Sequence, residues 1–148
     1  MQTKNFTEHN LLFTDRSWKL RFILLIAIIA AVVFESTCAP TIDNSLIPNL
    51  DKMIHFGVFG VIAWLLASVL DAKLWFKRSS FKIVVFSFVF VVLLGVSDEY
   101  LQSFTSTRHA ELNDALADLA GAFVMLVIWI FYKKDKAVGY ENKGGVIS

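Results

Sequence analysis

The sequence has little of what disulfide frameworks, zinc sites and nucleic-acid binders require. Its one cysteine, Cys38, excludes a disulfide within the chain. Three histidines are present, and none forms a Cys/His spacing typical of structural zinc. Lys and Arg number 14 against 13 Asp and Glu, so a net charge of +1 provides no basic surface for nucleic acid. These absences exclude three common classes of small protein and predict no nucleic-acid partner.

Apolar side chains are abundant instead. Hydrophobic residues make up 56% of the 148 residues, with 14 Phe and 4 Trp, and the mean hydropathy is +0.60. This average exceeds that of ordinary soluble domains, where apolar residues and glycine together reach about half of the chain. The composition therefore predicts an integral membrane protein.

Four apolar runs are long enough to cross a bilayer, which takes about 20 residues of helix. A spanning sheet is disfavoured because the runs are continuous, and because a closed barrel needs about eight strands or more. We therefore predict an all-α domain over residues 18–132, with helices at about 18–34, 53–70, 81–96 and 115–132.

Short connections and the distribution of charge predict the topology. The segment DAKLWFKRSS between the second and third runs forces antiparallel neighbours, so the four helices form an up-down bundle with both termini on one side. Of the 14 basic residues, all but Lys52 and Arg108 lie in or within four residues of the N-terminal segment 1–17, the second connection or the C-terminal end. The positive-inside rule then places both termini in the cytoplasm, with the protein in the cytoplasmic (inner) membrane. The polar C-terminal tail, 133–148, is expected to be disordered, as are the first ten residues.

Acidic residues and a histidine gather at the three helix ends that this topology places outside the cytoplasm. They form pairs at helical spacing, namely Asp51 with His55, Glu99 with Gln102, and Asp114 with Asp118. An ionisable group within a span costs about 2.5–3.5 kcal/mol on insertion scales, so such groups face the bundle interior and pair. We expect one outward-opening cluster, in which Asp51 pairs with His55 and Arg108 with Glu99 or Asp114. Glu111 and His109 are expected to be ordinary solvated charges.

Small residues predict which helices pack most closely. Gly57, Gly60, Ala63 and Ala67 form a stripe on the second helix, and Ala117 and Gly121 are four apart on the fourth. Such stripes allow helix backbones to approach each other within a membrane. The second and fourth helices should therefore make the tightest contact, which would bring His55 near Asp118.

Two segments carrying these polar residues resemble the VanZ-like family of small membrane proteins. DKMIHFGVFG is similar to a DK-x-x-HF segment of that family. SDEYLQSFTSTRHAELNDALADLAGA is similar to its second segment, which has an acidic residue, a Gln three later, an Arg, and D-x-x-x-[ND] followed by Gly. The chain departs from the family where Ser106 and Thr107 replace a common Pro-Gly, and where Asp118 replaces a common Asn. The family takes its name from a protein associated with resistance to the glycopeptide teicoplanin, which implies a role at the cell envelope.

Three readings of the cluster remain open. The first is a recognition site for a membrane lipid or lipid-linked cell-wall precursor. The second is the active site of a membrane-embedded hydrolase or transferase. The third is a structural role, in which the polar contacts lock the helices together. In the recognition reading, the binding residues are Gln102, Arg108, Asp114 and Asp118, with the Arg108 guanidinium gripping a phosphate.

The enzyme reading assigns catalytic roles to His55, Asp51 and Glu99. His55 is the general base or acid, and Asp51 orients its ring. Glu99, Asp114 and Asp118 are the candidate ligands if a divalent metal is present. Helix capping alone is the alternative for Asp51 and Asp114. The small-residue stripes are also compatible with packing between two copies of the chain.

The charge distribution generates a test of orientation. A reporter fused after Lys136 is expected to give a cytoplasmic signal, because the segments rich in Lys and Arg stay inside. A fusion in the first connection, near Asn44, is the matched control and should give an external signal. The reverse pattern would overturn the placement of the cluster on the outer side.

Overall fold

The computed structural model describes the backbone of residues 4–38, 48–72, 79–104 and 111–144, and the side chains of residues 18–38, 48–72, 79–104 and 111–135. Within these ranges every regular element is a helix, which confirms the predicted all-α class. The four helices are α1 (Lys4–Thr37), α2 (Leu50–Ala72), α3 (Ser80–Gln102) and α4 (Leu112–Gly144).

Each helix contains a segment long and apolar enough to cross a membrane. These segments are Trp18–Thr37, Leu50–Ala72, Ser80–Gln102 and Leu112–Asp135. They contain the four predicted spans and extend them by up to several residues at the ends that carry the acidic residues. Asp51, Glu99 and Asp114 are therefore helical, and their side chains point in directions fixed by the helix.

Helical structure continues well beyond the predicted spans at the other ends. α1 begins at Lys4, and α4 continues past Asp135 to Gly144. The helices thus include residues 4–10 and 133–144, where the polar sequence predicts disorder. The reason is that extending an existing helix is far easier than nucleating one, and Lys and Ala beyond the span are good helix formers.

Contacts between helix ends establish the up-down arrangement. Ser36 near the end of α1 bonds to Asp98 near the end of α3, and Lys52 at the start of α2 bonds to Asp114 at the start of α4. The end of α1, the start of α2, the end of α3 and the start of α4 thus share one end of the bundle. Successive helices are antiparallel, as the short connections predict.

The opposite end is held by a contact between α2 and α4. Lys133 donates to Asp71 and also lies 5.2 Å from the centre of the Trp129 ring. Trp129 is itself buried in the core between the helices. The two helices are thus in contact over their whole shared length.

The α2–α4 interface is the largest in the bundle, as predicted from the small residues. A side chain at Gly121 would collide with the backbone of Phe56, and a Cβ at Gly60 would lie 3.0 Å from the Gly121 carbonyl oxygen. Gly57 was wrongly included in the stripe, because it is exposed with open space around it. At 100° per residue, Gly57 lies about 60° from Gly60 on the side away from Ala63.

Apolar side chains fill the centre of the bundle and also cover its outside. The largest buried side chains include Phe59, Ile62, Ile83 and Val91. Large apolar residues also lie outside, with Phe81 77% and Phe34 71% exposed. A large exposed apolar surface on all-helical elements of this length is typical of contact with lipid.

The backbone contact at Gly121 generates a stability prediction. Gly121→Ala should lower the free energy of unfolding by about 1–3 kcal/mol, since the added methyl group meets backbone that no rotamer can move. Gly57→Ala is the matched control, and alanine's higher helix propensity should leave it neutral or slightly stabilised. Thermal unfolding of both variants in detergent measures the difference. Equal melting temperatures would contradict the close approach of α2 and α4.

Candidate functional site

Polar side chains from all four helices meet at the end of the bundle where α1 and α3 finish and α2 and α4 begin. We call this group the helix-end cluster, and its described members are Ser36, Asp51, Lys52, His55, Asp98, Glu99, Gln102, Glu111, Asp114 and Asp118. Every predicted site residue that the structure describes belongs to it. Arg108 and His109 lie outside the described residues.

The centre of the cluster is a pair between α2 and α4. His55 Nδ1 donates to Asp118 Oδ1 at 3.0 Å. The imidazole ring also stacks on Phe59, with ring centres 5.9 Å apart and nearly parallel planes. A hydrogen bond at Nδ1 and a stacked face fix the orientation of the ring. In the neutral form, this arrangement leaves Nε2 as the acceptor nitrogen.

Asp118 is the most deeply buried acid of the cluster, at 2% exposure. Its second oxygen, Oδ2, is buried and has no hydrogen-bond partner among the described residues. This oxygen faces α3 at Gly95, where an ideal Cβ would lie 3.0 Å from it. Glycine at that position therefore leaves the room that the carboxylate occupies.

A second buried acid, Asp98, joins α1 to α3. Ser36 donates to its Oδ1, and Gln102 Nε2 donates to its Oδ2 at 3.1 Å. All three side chains are buried, at 4% exposure or less. Both carboxylate oxygens of Asp98 thus have donors, which offsets the cost of burying the group.

Glu99 takes a different role on the same helix. Its Oε2 accepts from the backbone N–H of Glu111 at 2.9 Å, just before α4 begins. Its Oε1 is buried with no partner among the described residues. A carboxylate at the end of α3 is disfavoured by that helix's dipole, but the start of α4 presents free N–H groups and positive potential to it. Glu99 therefore ties the end of α3 to the start of α4.

Lys52 connects three carboxylates at the edge of the cluster. Its Nζ lies 2.9 Å from Asp51, 2.9 Å from Glu111 and 3.1 Å from Asp114. An ammonium group has three N–H donors, so these contacts use its full capacity. Lys52 thereby joins the first turn of α2 to the first turn of α4.

The described cluster carries far more acid than base. It has six carboxyl groups, with only the Lys52 ammonium and the His55 imidazole to offset them. His55 interacts electrostatically with Asp98 and Asp114 as well as with Asp118. Burying charges of one sign together is unfavourable unless donors or cations compensate them. The described part of the site therefore favours ligand groups that donate hydrogen bonds or carry positive charge.

The acidic groups gather differently from the predicted metal set of Glu99, Asp114 and Asp118. Among the described residues, oxygens of Asp51, Glu111 and Asp114 lie within 4.8 Å of one another. The ammonium of Lys52 bonds to all three of these groups. A divalent ion at these oxygens would have to replace the Lys52 ammonium. Metal binding therefore stays a prediction, which metal analysis of the purified protein would test.

The contacts correct two sequence-based expectations, for Asp51 and for Glu111. His55 pairs with Asp118 as the helix packing predicts, whereas Asp51, expected to be its partner, bonds to Lys52. Glu111, expected to be a solvated charge, bonds to Lys52. The reason is that the Lys52 ammonium offers Asp51 a charged donor at 2.9 Å. The His55 imidazole, by contrast, lies between the helices and bonds to Asp118.

Three contributors were missed by sequence reasoning, namely Ser36, Lys52 and Asp98. Asp98 and Gln102 are four residues apart, so a helical-face argument could have paired them. Lys52 lies next to a predicted site residue and is one of the two basic residues in the connections that the sequence predicts to lie outside the cytoplasm. Nothing in the sequence around Ser36 indicates that α1 reaches the cluster.

These features define a small four-helix membrane bundle with a buried polar cluster at one end. The chain belongs to the VanZ/LLP1 family, whose sequence profile matches residues 6–133. This confirms the resemblance inferred from the two polar segments. The match also covers α1, for which the motifs gave no indication.

A protein of Schizosaccharomyces pombe (strain 972 / ATCC 24843), described as uncharacterized, is a similar relative. It is 31% identical over 124 residues, which cover 84% of this chain and 70% of the relative. No solved structure matches the chain.

The burial of Asp98 generates a second stability prediction. Asp98→Ala should lower the free energy of unfolding by about 1–3 kcal/mol, because it leaves the buried Gln102 amide without its acceptor and removes the contact with Ser36 that joins α1 to α3. Asp51→Ala, which removes a partly exposed ion pair, should cost about 0–1 kcal/mol. Thermal unfolding of the two variants provides the comparison. A larger loss for Asp51→Ala would show that Asp98 does not tie α1 to α3.

Proposed function

We propose that this VanZ/LLP1 protein recognises the polar headgroup of an envelope lipid or a lipid-linked cell-wall intermediate through the helix-end cluster. The observation that carries the proposal is the convergence of four helices on buried carboxylates, two of whose oxygens have no partner among the described residues. A purely structural lock would be expected to pair every buried polar atom, as Asp98 is paired. The unpaired oxygens of Glu99 and Asp118 instead suit a ligand.

The position of the cluster supports a lipid rather than a ligand from bulk water. Large apolar side chains on the same end of the bundle are exposed, including Tyr100, Phe104 and Leu112. A headgroup at the cluster would leave its acyl chains against such surfaces. The distribution of basic residues supports an external position for this end, on the outer side of the cytoplasmic membrane. Arg108, in the connection before α4, would then contact the phosphate of the ligand.

A second candidate is a membrane-embedded hydrolase or transferase acting on the same class of lipid or precursor. It is favoured by the His55–Asp118 pair, in which a carboxylate holds an imidazole in one orientation. This is the arrangement of a general base and its orienting acid, with Asp118 in the role first expected of Asp51. Glu99, Asp51 and a divalent metal remain candidates for further catalytic roles in this reading.

Substitutions in the cluster test whether it is a site. We expect His55→Ala and Glu99→Gln to abolish the rescue of a strain that lacks the protein, at normal protein abundance. Asp135→Asn, at the opposite end of the segment of α4 that is long and apolar enough to cross a membrane, is the matched control and should rescue fully. The measurement is the profile of membrane lipids and peptidoglycan precursors. Teicoplanin susceptibility is measured as well, because the family takes its name from a protein associated with resistance to that glycopeptide.

The outcomes separate the readings. A new lipid or precursor species that accumulates in the deletion strain, and that wild type but not His55→Ala removes, would favour the enzyme. Metal analysis of the purified protein would then test the metal. Altered distribution of existing species would favour recognition. Full rescue by both cluster variants would refute both, and loss of folding in both would favour a structural lock.

A further inference from the structure

Two buried carboxylate oxygens in the helix-end cluster require a donor that the described residues do not supply. They are Asp118 Oδ2 and Glu99 Oε1. The side chain of Asp118 is 98% buried, so water from outside does not reach it freely. A buried acceptor without a partner costs about 1–3 kcal/mol, and more when it is charged. A ligand with hydrogen-bond donors would recover that free energy.

Both oxygens lie along the contact between α3 and α4. Asp118 Oδ2 faces Gly95, and Glu99 follows Gly95 by four residues, or about 6 Å along the helix axis toward the end of the bundle. The other oxygen of Glu99 is held by Glu111 at the start of α4. Glu99 is half-buried, whereas Asp118 is deeper. A ligand arriving from the end of the bundle therefore meets Glu99 first.

The cluster itself contains an example of the chemistry that fits. The Lys52 ammonium satisfies three carboxylates at 2.9–3.1 Å, one with each N–H. A second ammonium would supply both the donors and the positive charge that the surplus of carboxyl groups favours. A trimethylammonium group has no N–H and would leave the oxygens unpaired. The carboxylates grouped closely enough to share a metal ion already hold Lys52, and neither Glu99 nor Asp118 is among them.

We propose that the helix-end cluster binds the primary ammonium group of a lipid headgroup, with Glu99 Oε1 as its first acceptor and Asp118 Oδ2 as the deeper one. This rests on the proposed recognition of a headgroup and adds its chemical class. The exposed apolar side chains of Tyr100, Phe104 and Leu112 favour a lipid source over a free amine.

Lipid selectivity of the full-length protein tests this inference. The purified chain is placed in phosphatidylcholine nanodiscs containing a small fraction of labelled phosphatidylethanolamine, phosphatidylglycerol or phosphatidylcholine, and binding is measured. Wild type should bind phosphatidylethanolamine about tenfold more tightly than phosphatidylcholine, as expected for a charge-assisted hydrogen bond. Glu99→Gln should remove most of this preference and Asp118→Asn part of it. Asp135→Asn should retain it in full.

The outcomes distinguish this inference from the proposed function. A wild-type preference for phosphatidylglycerol that Glu99→Gln removes would leave headgroup recognition standing and overturn the ammonium. Equal binding of all three lipids would overturn the ammonium inference, whereas headgroup recognition is decided by the rescue of the deletion strain. Competition by free ethanolamine as strong as that by phosphatidylethanolamine would overturn the lipid source. The wild-type comparison decides the main question even where a variant fails to fold.

Discussion

The rest of the structure depends on the contact between α2 and α4 at Gly121. The backbone of α4 lies against the backbone of Phe56 there, in space that a side chain would fill. Because α2 and α4 are this close, His55 and Asp118, each within one turn of the contact, are within hydrogen-bond distance. In a membrane, where no hydrophobic drive favours helix association, such packing and the polar contacts beside it hold the bundle together. The small residues thus determine the geometry of the site as well as the stability of the fold.

Helix direction explains how so many acids are tolerated at one end. Asp51 and Asp114 lie in first turns, where the helix dipole favours carboxylates. Asp98 and Glu99 lie in the last turns of α3, where the dipole opposes them. A hydrogen bond from a neighbouring element offsets this unfavourable interaction in each case. Ser36 of α1 donates to Asp98, and the backbone N–H of Glu111 donates to Glu99. The up-down order is therefore needed for the cluster, because it sets a helix start beside the end of α3.

Sequence reasoning could predict the features that depend on local spacing. The number of helices, their order and the pairing of His55 with Asp118 follow from apolar runs, short connections and small-residue stripes. The orientation of Asp51, by contrast, depends on Lys52, whose three partners come from two separate helix starts. Asp98 and Glu99 are adjacent and lie about 100° apart around α3, so they meet different neighbours, Ser36 of α1 and the N–H of Glu111. Their difference arises from where α1 packs, and no periodicity encodes that position.

Continuation of α4 to Gly144 was missed because polar composition was taken to indicate disorder, although polar residues extend an existing helix readily.

Asp98 differs from Glu99 and Asp118 in how completely its carboxylate oxygens are paired. Asp98 is as deeply buried as Asp114 and has donors on both oxygens, so its role in joining α1 to α3 is complete within the chain. Glu99 and Asp118 each use one oxygen for a contact between helices and keep the other buried beside α3. If stability alone had determined these positions, an amide or an apolar side chain would have avoided the unpaired charge. In the proposed recognition site, Glu99 and Asp118 would therefore have two tasks, since one oxygen of each joins two helices while the other would accept a hydrogen bond from the ligand.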